Sequence, residues 1–490
     1  VTLGQLAARL PGARLSGDAR LDVNAVSHDS RSLAPGALFV AIRGLAADGN
    51  QFVDAALRKG AAAVASEAPP RSGVHWLQVK DAREALALLS AAVLGEPAAA
   101  LELIGVTGTN GKTTTSYLID SVLRAAGHRV GLIGTVQYRI GDRLVESVRT
   151  TPESSDLQRL FYEMREASCR YAVLEVSSHS LALKRVHGCA FRAAVFTNLT
   201  RDHLDFHGDM AGYFAAKRLL FESLLRSDGH AVINLDDDHA PALRAVARGR
   251  VLTYGLRPTA DITAEGLSLS LEGTRFRART PIGDLDVETP LVGLFNVQNV
   301  LAALATGIAL RLEAKALLRG IAALRGVPGR MERVAAGQDF AIIVDYAHTD
   351  DALRKLLETV RGLKPRRLIT VFGCGGDRDR SKRPLMGAVA ARLSDVVVVT
   401  SDNPRSEPPE AIIDEILRGM NGGKQAERHV IADRREAIAR AIELARPGDA
   451  VVLAGKGHET YQVLRDRTVP FDDRQVAREA LAAHARSGRA

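Results

Sequence analysis

Residues 105–115 read Gly105-Val106-Thr107-Gly108-Thr109-Asn110-Gly111-Lys112-Thr113-Thr114-Thr115, directly after the apolar run 101–104. A short strand feeds a glycine-bearing loop, and Lys112-Thr113 opens a helix. These are the residue types that hold a polyphosphate: loop N–H groups and a helix N-terminus face the anion, Lys112 adds a point charge, and the Thr113 hydroxyl suits Mg²⁺. The spacing departs from the general pattern, because Val106 stands where the first glycine belongs and Gly105 and Gly108 flank it. An ordinary strand-to-helix turn is the competing reading. A Gly-Lys-Thr-Thr run behind a buried strand favours phosphate, and nucleoside triphosphate binding is expected.

Three further segments offer ligands for such a site. Glu175 closes the apolar run 171–174, where a strand-end carboxylate serves either as a Mg²⁺ ligand or as a helix cap. His203 lies among Asp202 and Asp205 in a polar loop after the run 193–197, open to a metal, phosphate or purely structural role. Lys217, in Tyr213-Phe214-Ala215-Ala216-Lys217-Arg218-Leu219, reads by composition as a surface lysine on a helix.

The last third of the chain repeats one arrangement four times. Asp345-Tyr346-Ala347-His348, Gly375-Gly376-Asp377-Arg378-Asp379-Arg380, Asp402-Asn403-Pro404-Arg405 and Gly455-Lys456-Gly457-His458-Glu459 each follow an apolar run. Guanidinium groups at Arg378 and Arg405 can fork onto carboxylates, while Asp402 and Glu459 can receive ammonium groups. Together they suit a zwitterionic amino acid. The glycines at 373–376 miss the dinucleotide fingerprint, so a nicotinamide cofactor has little support.

Three blocks must position these residues. The first, to residue 98, opens on an amphipathic stretch at 2–10, has a strand-like run at 36–42 and closes on a helix at 82–95. The second begins with a strand at 101 and alternates further strands at 171–176, 193–197 and 230–235 with helices, the pattern of a mostly parallel sheet. Its residues 251–292 suggest antiparallel strands on one flank, followed by helices at 296–310 and 314–324. Gly326-Val327-Pro328-Gly329 is a hinge-like break. The third block has strands at 340–344, 368–372, 396–400 and 451–454, each with a helix behind it: a doubly wound sheet with its site beyond the strand C-termini.

Composition narrows the function classes. At 490 residues the chain exceeds one hydrophobic core. No apolar stretch reaches the length of a membrane span, and the N-terminal residues lack a secretory pattern. Three widely spaced cysteines form neither a metal pair nor a disulfide framework, which fits a reducing cytoplasm. The net charge of +8 comes from scattered arginines without interleaved aromatics. A solvated surface is expected rather than a nucleic-acid face, and the positive excess suits anionic nucleotide substrates.

The ordered set of motifs resembles the Mur ligases, the ATP-dependent amino-acid-adding enzymes of peptidoglycan synthesis. It comprises Gly108–Thr114, Glu175-Val176-Ser177-Ser178-His179, the 198–205 segment, Asn296-Val297-Gln298-Asn299, Pro328-Gly329-Arg330-Met331-Glu332 and Asp345-Tyr346-Ala347-His348. The resemblance spans essentially the whole chain. It implies an α/β protein of three domains: a mixed α/β UDP-binding domain at 1–98, a central P-loop-type parallel-sheet ATP-binding domain at 99–327, and a Rossmann-like doubly wound amino-acid-binding domain at 328–490. Asp402-Asn403-Pro404-Arg405 is similar to the sequence of members that add meso-diaminopimelate to UDP-N-acetylmuramoyl-L-alanyl-D-glutamate.

Carried over by position, the resemblance implies the following roles. Gly108, Thr109, Asn110, Gly111, Lys112, Thr113, Thr114, Asn296, Arg330 and Asp345 serve ATP. Thr113, Glu175, His203 and Lys217, the last as a carbamate, serve Mg²⁺, with Lys112, Lys217 and His203 catalytic. Ser30, Leu45, Ala46, Ala47, Thr150, Thr151, Ser177 and Arg185 hold the UDP-dipeptide. Arg378, Asp402, Asn403, Pro404, Arg405, Gly455 and Glu459 receive diaminopimelate. A cytoplasmic monomer acting on small molecules, with neither nucleic acid nor membrane insertion, is expected.

Overall fold

In a computed structural model, residues 1–44, 47–270, 272–421 and 426–487 are described. The chain divides into two compact units. One comprises Val1–Glu265, Arg277–Val287 and Gln298–Ala323, and the other Gly266–Phe276, Glu288–Val297 and Leu324–Ala490.

The first unit contains two sheets. The smaller has the strand order Arg14–Ser16, Trp76–Gln78, Ala63–Ser66, Ala37–Val40, Ala25–Ser27, parallel except for its first strand. Its middle strands are apolar throughout because both faces are covered. Leu38 and Val40 pack with Leu3, Leu6 and the helix Ala82–Val93, while Phe39 packs oppositely with Val53 and Trp76.

The larger sheet runs Arg250–Tyr254, Leu225–Asn234, Phe191–Phe196, Glu102–Thr107, Tyr171–Glu175, Val130–Ile133, Gln137–Ile140, Arg143–Glu146. The first six strands are parallel and the last two extend it as an antiparallel hairpin. Register aligns Glu175 with Val106 and Phe196 with Thr107, so the phosphate loop, Glu175 and the loop after Phe196 leave the sheet at one edge. The helix Lys112–Ala125 starts at that edge. It is held by the helix Ala314–Ala323, where Ser121 Oγ donates to Gly320 O at 2.7 Å. A side chain at Gly320 would come within 2.5 Å of Val122 Cα, so only glycine permits this approach.

The antiparallel flank expected over 251–292 divides in two. Arg250–Tyr254 is instead a parallel edge strand, anchored where Tyr254 OH donates to Phe196 O at 2.9 Å. Thr263–Leu269, Thr274–Arg279 and Leu285–Thr289 form a separate three-stranded sheet. An edge strand exposed along one side alternates in sequence much like a hairpin strand, which hides its parallel pairing.

The second unit carries a six-stranded sheet in the order Glu332–Arg333, Ala341–Asp345, Ala450–Ala454, Leu368–Phe372, Val396–Val399, Glu427–Val430, parallel except for the first strand. Core residues cover both faces, as a doubly wound sheet requires. The four expected strands are present, and all four polar tips lie at their C-terminal edge. Among the described residues no helix is long and apolar enough to cross a membrane.

Candidate active site

The phosphate loop is fixed by its own backbone. Gly108 has φ +146°, and a Cβ there would sit 1.9 Å from Thr197 Oγ1. Gly111 has φ +86°, and its Cβ would sit 2.5 Å from Asn299 Oδ1. The amides of Thr109 and Asn110 do not face an anion as expected. They donate to Asn198 O at 2.8 Å and Asn198 Oδ1 at 2.9 Å. The cradle therefore rests on the first-turn N–H groups of the helix, which find no acceptor within the helix itself. Lys112 Nζ lies over the loop, donating to the carbonyls of Gly108 at 2.9 Å and Thr109 at 2.8 Å. Thr114 is buried at the base of the first turn.

Gly108→Ala carries the first testable consequence. The added methyl meets Thr197 at a φ that side chains rarely adopt, costing about 1–3 kcal/mol of local strain. A lower melting temperature and at least a tenfold weaker nucleotide titration are expected.

Glu175 is buried and is not a helix cap, since Ser177 caps the next helix by accepting from Ser180 N at 3.1 Å. Thr113 Oγ1 donates to Glu175 Oε2 at 3.0 Å, while Thr135 donates from N to Oε1 at 2.8 Å and from Oγ1 to Oε2 at 3.1 Å. Thr135 drew no attention in the sequence, because it follows a strand without any motif. Among the described residues no three His, Cys, Asp or Glu side chains gather as a metal set. The hard oxygen donors of Thr113 and Glu175 still fit Mg²⁺, an ion that keeps waters and phosphate oxygens and takes few protein ligands.

Lys217 overturns the surface reading. It is 1% exposed, donates to Gly108 O at 2.8 Å and lies 4.4 Å from the Tyr213 ring centroid. Burial, with the Lys112 charge beside it, holds its pKa well below the ordinary lysine value. Composition could not reveal this, because the helix Met210–Leu219 turns Tyr213, Ala216 and Lys217 inward together. His203, half-exposed at φ +53°, stands 3.4 Å from Asp202 and 4.8 Å, ring to ring, from His179. Partial burial lowers the pKa of His203, and burial takes His179 to about 4.

Beside Glu175 lie residues expected at the UDP-dipeptide. Thr151 Oγ1 donates to Glu175 O at 2.8 Å and accepts from Ser177 N at 3.2 Å. Thr150 Oγ1 is 3.0 Å from Thr135 Oγ1. Arg185 donates to Thr151 O at 3.1 Å and pairs with Glu153 at 2.8 Å. The same Glu153 meets Arg149 at 3.0 Å and Arg83 at 3.8 Å, two arginines given no site role from the sequence. Ser30 is buried in the small sheet's domain, next to an Asp29–Arg31 pair at 2.9 Å. Ala47 is exposed, and its carbonyl accepts from Gly44 N at 2.8 Å. Leu45 and Ala46 lie outside the described residues.

Asn296, Arg330 and Asp345 belong to the second unit. Asn296 Nδ2 donates to Val292 O at 2.8 Å; it is Asn299, further along the same helix, that touches the phosphate loop. Asp345 accepts from the amides of Met331 and Ala347, each at 2.8 Å, and its enclosure raises its pKa. Arg330 lies 4.9 Å from the Tyr346 ring centroid.

The strand tips of this unit interlock. Asn403 Nδ2 donates to Glu459 Oε2 at 2.8 Å, and Asn403 Oδ1 accepts from Val463 N at 3.0 Å. Arg405, at φ +53°, donates to Gly376 O at 2.8 Å. Gly455 has φ +115°, and a Cβ there would meet Asp402 Oδ2 at 2.5 Å. Asp402, Asn403 and Pro404 are buried, while Arg378 is exposed at the rim. The arrangement gathers cationic and anionic groups at one sheet edge.

Three family models cover most of the chain. "Mur ligase family, catalytic domain" matches residues 22–93, "Mur ligase middle domain" matches 106–307, and "Mur ligase, glutamate ligase domain" matches 329–457. The chain belongs to the Mur ligase family. It is 53% identical, over 94% of each chain, to the UDP-N-acetylmuramoyl-L-alanyl-D-glutamate--2,6-diaminopimelate ligase of Solibacter usitatus (strain Ellin6076). It is 46% identical to the ligase of the same description from Geobacillus thermodenitrificans (strain NG80-2), over 98% of this chain and 99% of that one. A solved structure of a UDP-N-acetylmuramoyl-L-alanyl-D-glutamate--2,6-diaminopimelate ligase aligns at TM-score 0.73 and 37% identity over 99% of both chains. The three-domain α/β reading holds for this Mur ligase. Its ATP loop belongs to the middle domain, and Asp402–Arg405 to the glutamate ligase domain.

Proposed function

We propose that this Mur ligase joins meso-diaminopimelate to UDP-N-acetylmuramoyl-L-alanyl-D-glutamate at the expense of ATP, in the cytoplasm, as a monomer. The observation that carries the reading is the Asp402–Arg405 tip. It is held with Gly455–Glu459 at one sheet edge, in a chain 53% identical to a relative described as that ligase. We set the domain limits at 1–98, 99–327 and 328–490, a division supported by the smaller, larger and six-stranded sheets falling one within each.

The D-glutamyl side-chain carboxylate attacks the γ-phosphorus of ATP, the bond to ADP breaks, and an acyl phosphate forms. The neutral amine of diaminopimelate then attacks the acyl carbon, loses its proton, and phosphate departs from the tetrahedral intermediate. Bound Mg²⁺ would supply charge neutralisation at the phosphates. Thr113 and Glu175 would hold it, with His203 and carbamylated Lys217 alongside. Lys112 places an ammonium where phosphoryl charge accumulates, and the first turn of its helix orients the phosphates. Arg185, Thr150, Thr151 and Ser177 line the approach to Glu175, where the dipeptide carboxyl must arrive; Ser30 and 45–47 would receive the uridine diphosphate.

Lys217 supports the carbamate reading chemically. Burial and the neighbouring Lys112 charge lower its pKa and so favour the neutral amine over the ammonium relative to an exposed lysine. That nitrogen can bond the carbon of CO₂ and lose a proton, giving an anion beside the phosphate loop at Gly108.

Phosphate release tests the function. It should require UDP-dipeptide and meso-diaminopimelate together, with lysine a poor substitute. Release from ATP alone at the same rate would reject the ligase reading in favour of a regulatory NTPase.

A further inference from the structure

Thr135 follows the strand Val130–Ile133 and belongs to no motif, yet both of its donors reach Glu175. Its N–H meets Oε1 at 2.8 Å and its hydroxyl meets Oε2 at 3.1 Å. One residue thus holds each oxygen of the carboxylate, which stops the group from rotating. Thr113 Oγ1 adds a third bond, to Oε2 at 3.0 Å. The backbone before Thr135 is shaped for this approach. A side chain at Gly134 would come within 2.3 Å of Glu175 Oε1, and Gly134 O is held by Ser147 Oγ at 2.7 Å.

Thr135 Oγ1 also lies 3.0 Å from Thr150 Oγ1. Charge sets the direction of that contact. A carboxylate only accepts, and a hydrogen bond to it is roughly twice as strong as one between neutral groups. The single hydroxyl proton of Thr135 therefore goes to Glu175, and Thr150 must donate to Thr135. With its own proton committed, Thr150 can offer a ligand lone pairs only. Thr151 is committed as well, since its hydroxyl donates to Glu175 O at 2.8 Å and accepts from Ser177 N at 3.2 Å. Arg185 remains the donor suited to a ligand carboxylate, whereas Thr150 suits an N–H. The glutamyl residue of the dipeptide has one N–H, in its bond to alanine.

We propose that Thr135 is a positioning residue with two linked tasks. It fixes the carboxylate of Glu175, and its hydroxyl turns Thr150 into the acceptor for the glutamyl N–H. The inference rests on the function proposed above and adds a residue to it that touches neither substrate.

The test is equilibrium titration, with no turnover. UDP-dipeptide is compared with an analogue whose glutamyl N–H is replaced by an ester oxygen, in the absence of ATP and Mg²⁺. Wild type binds the ester about tenfold or more weakly, because Thr150 then faces lone pairs. In T135V, nearly the same shape without the hydroxyl, Thr150 regains its proton and the preference falls within about threefold. T135S keeps the wild-type preference. A second titration follows ADP as Mg²⁺ is raised. The Mg²⁺ needed for half-maximal tightening rises about tenfold in T135V and stays within about threefold of wild type in T135S. T135A replaces T135V in both arms should valine not fold. A preference retained in T135V, no preference in wild type, or an unchanged Mg²⁺ requirement overturns the proposal. A wild-type protein that binds neither UDP-dipeptide nor its ester would instead overturn the function itself.

Discussion

Lys112→Ala lowers kcat for diaminopimelate ligation by about 10³-fold or more, with UDP-dipeptide affinity little changed. The magnitude comes from where the ammonium lies. Its Nζ is 2.9 Å from Gly108 O and 2.8 Å from Thr109 O, directly over the first turn of the phosphate helix. Phosphoryl transfer offers the protein little covalent chemistry, so charge placed ahead of the reaction supplies most of the rate. Alanine removes that charge without disturbing the loop, because Gly108, Gly111 and the Asn198 bonds hold the backbone independently. Single-turnover phosphate release separates chemistry from binding, and equilibrium titration of UDP-dipeptide checks the other site. A kcat within tenfold of wild type would remove Lys112 from the transition state.

Arg405→Ala produces the second largest effect. We expect kcat/KM for diaminopimelate to fall about 30–300-fold while the KM for UDP-dipeptide is unchanged. Arg405 is half-buried, and its positive φ sets its side chain back along the tip, where Nη1 meets Gly376 O at 2.8 Å. A side chain at Gly375 would come within 2.9 Å of that Nη1, so the glycines there leave the guanidinium its space. A planar fork of this kind is matched to a carboxylate, and lysine lacks the distal carboxylate that diaminopimelate would offer it. The loss should therefore be confined to the amino acid. Initial rates with each substrate varied in turn measure it, and equal losses for both substrates would contradict the pocket.

Both effects depend on residues that sequence made visible for a local reason. The phosphate loop needs glycine at fixed backbone positions, and a strand-end tip needs polar residues directly after an apolar run; such features are written in consecutive letters. The parallel sheets were legible for the same reason, since strands buried on both faces are apolar without interruption, as in residues 368–372 and 396–399. Short or exposed strands were not. The hairpin strands Gln137–Ile140 and Arg143–Glu146, and the edge strands Arg250–Tyr254 and Glu427–Val430, carry polar residues on their open sides and resemble loops.

The sequence by itself determined the phosphate loop, the order of the motifs, the α/β class and the charged tips, because each is specified by neighbours along the chain. Only the tertiary structure decided what those groups do to one another. It buried Lys217 against Gly108 and depressed its pKa. It turned the Thr109 and Asn110 amides to Asn198, brought Thr135 to Glu175, and sealed Lys456 between Asn403 and Glu459. Desolvation and hydrogen-bond geometry are set by atoms distant in sequence, so no reading of adjacent residues contains them.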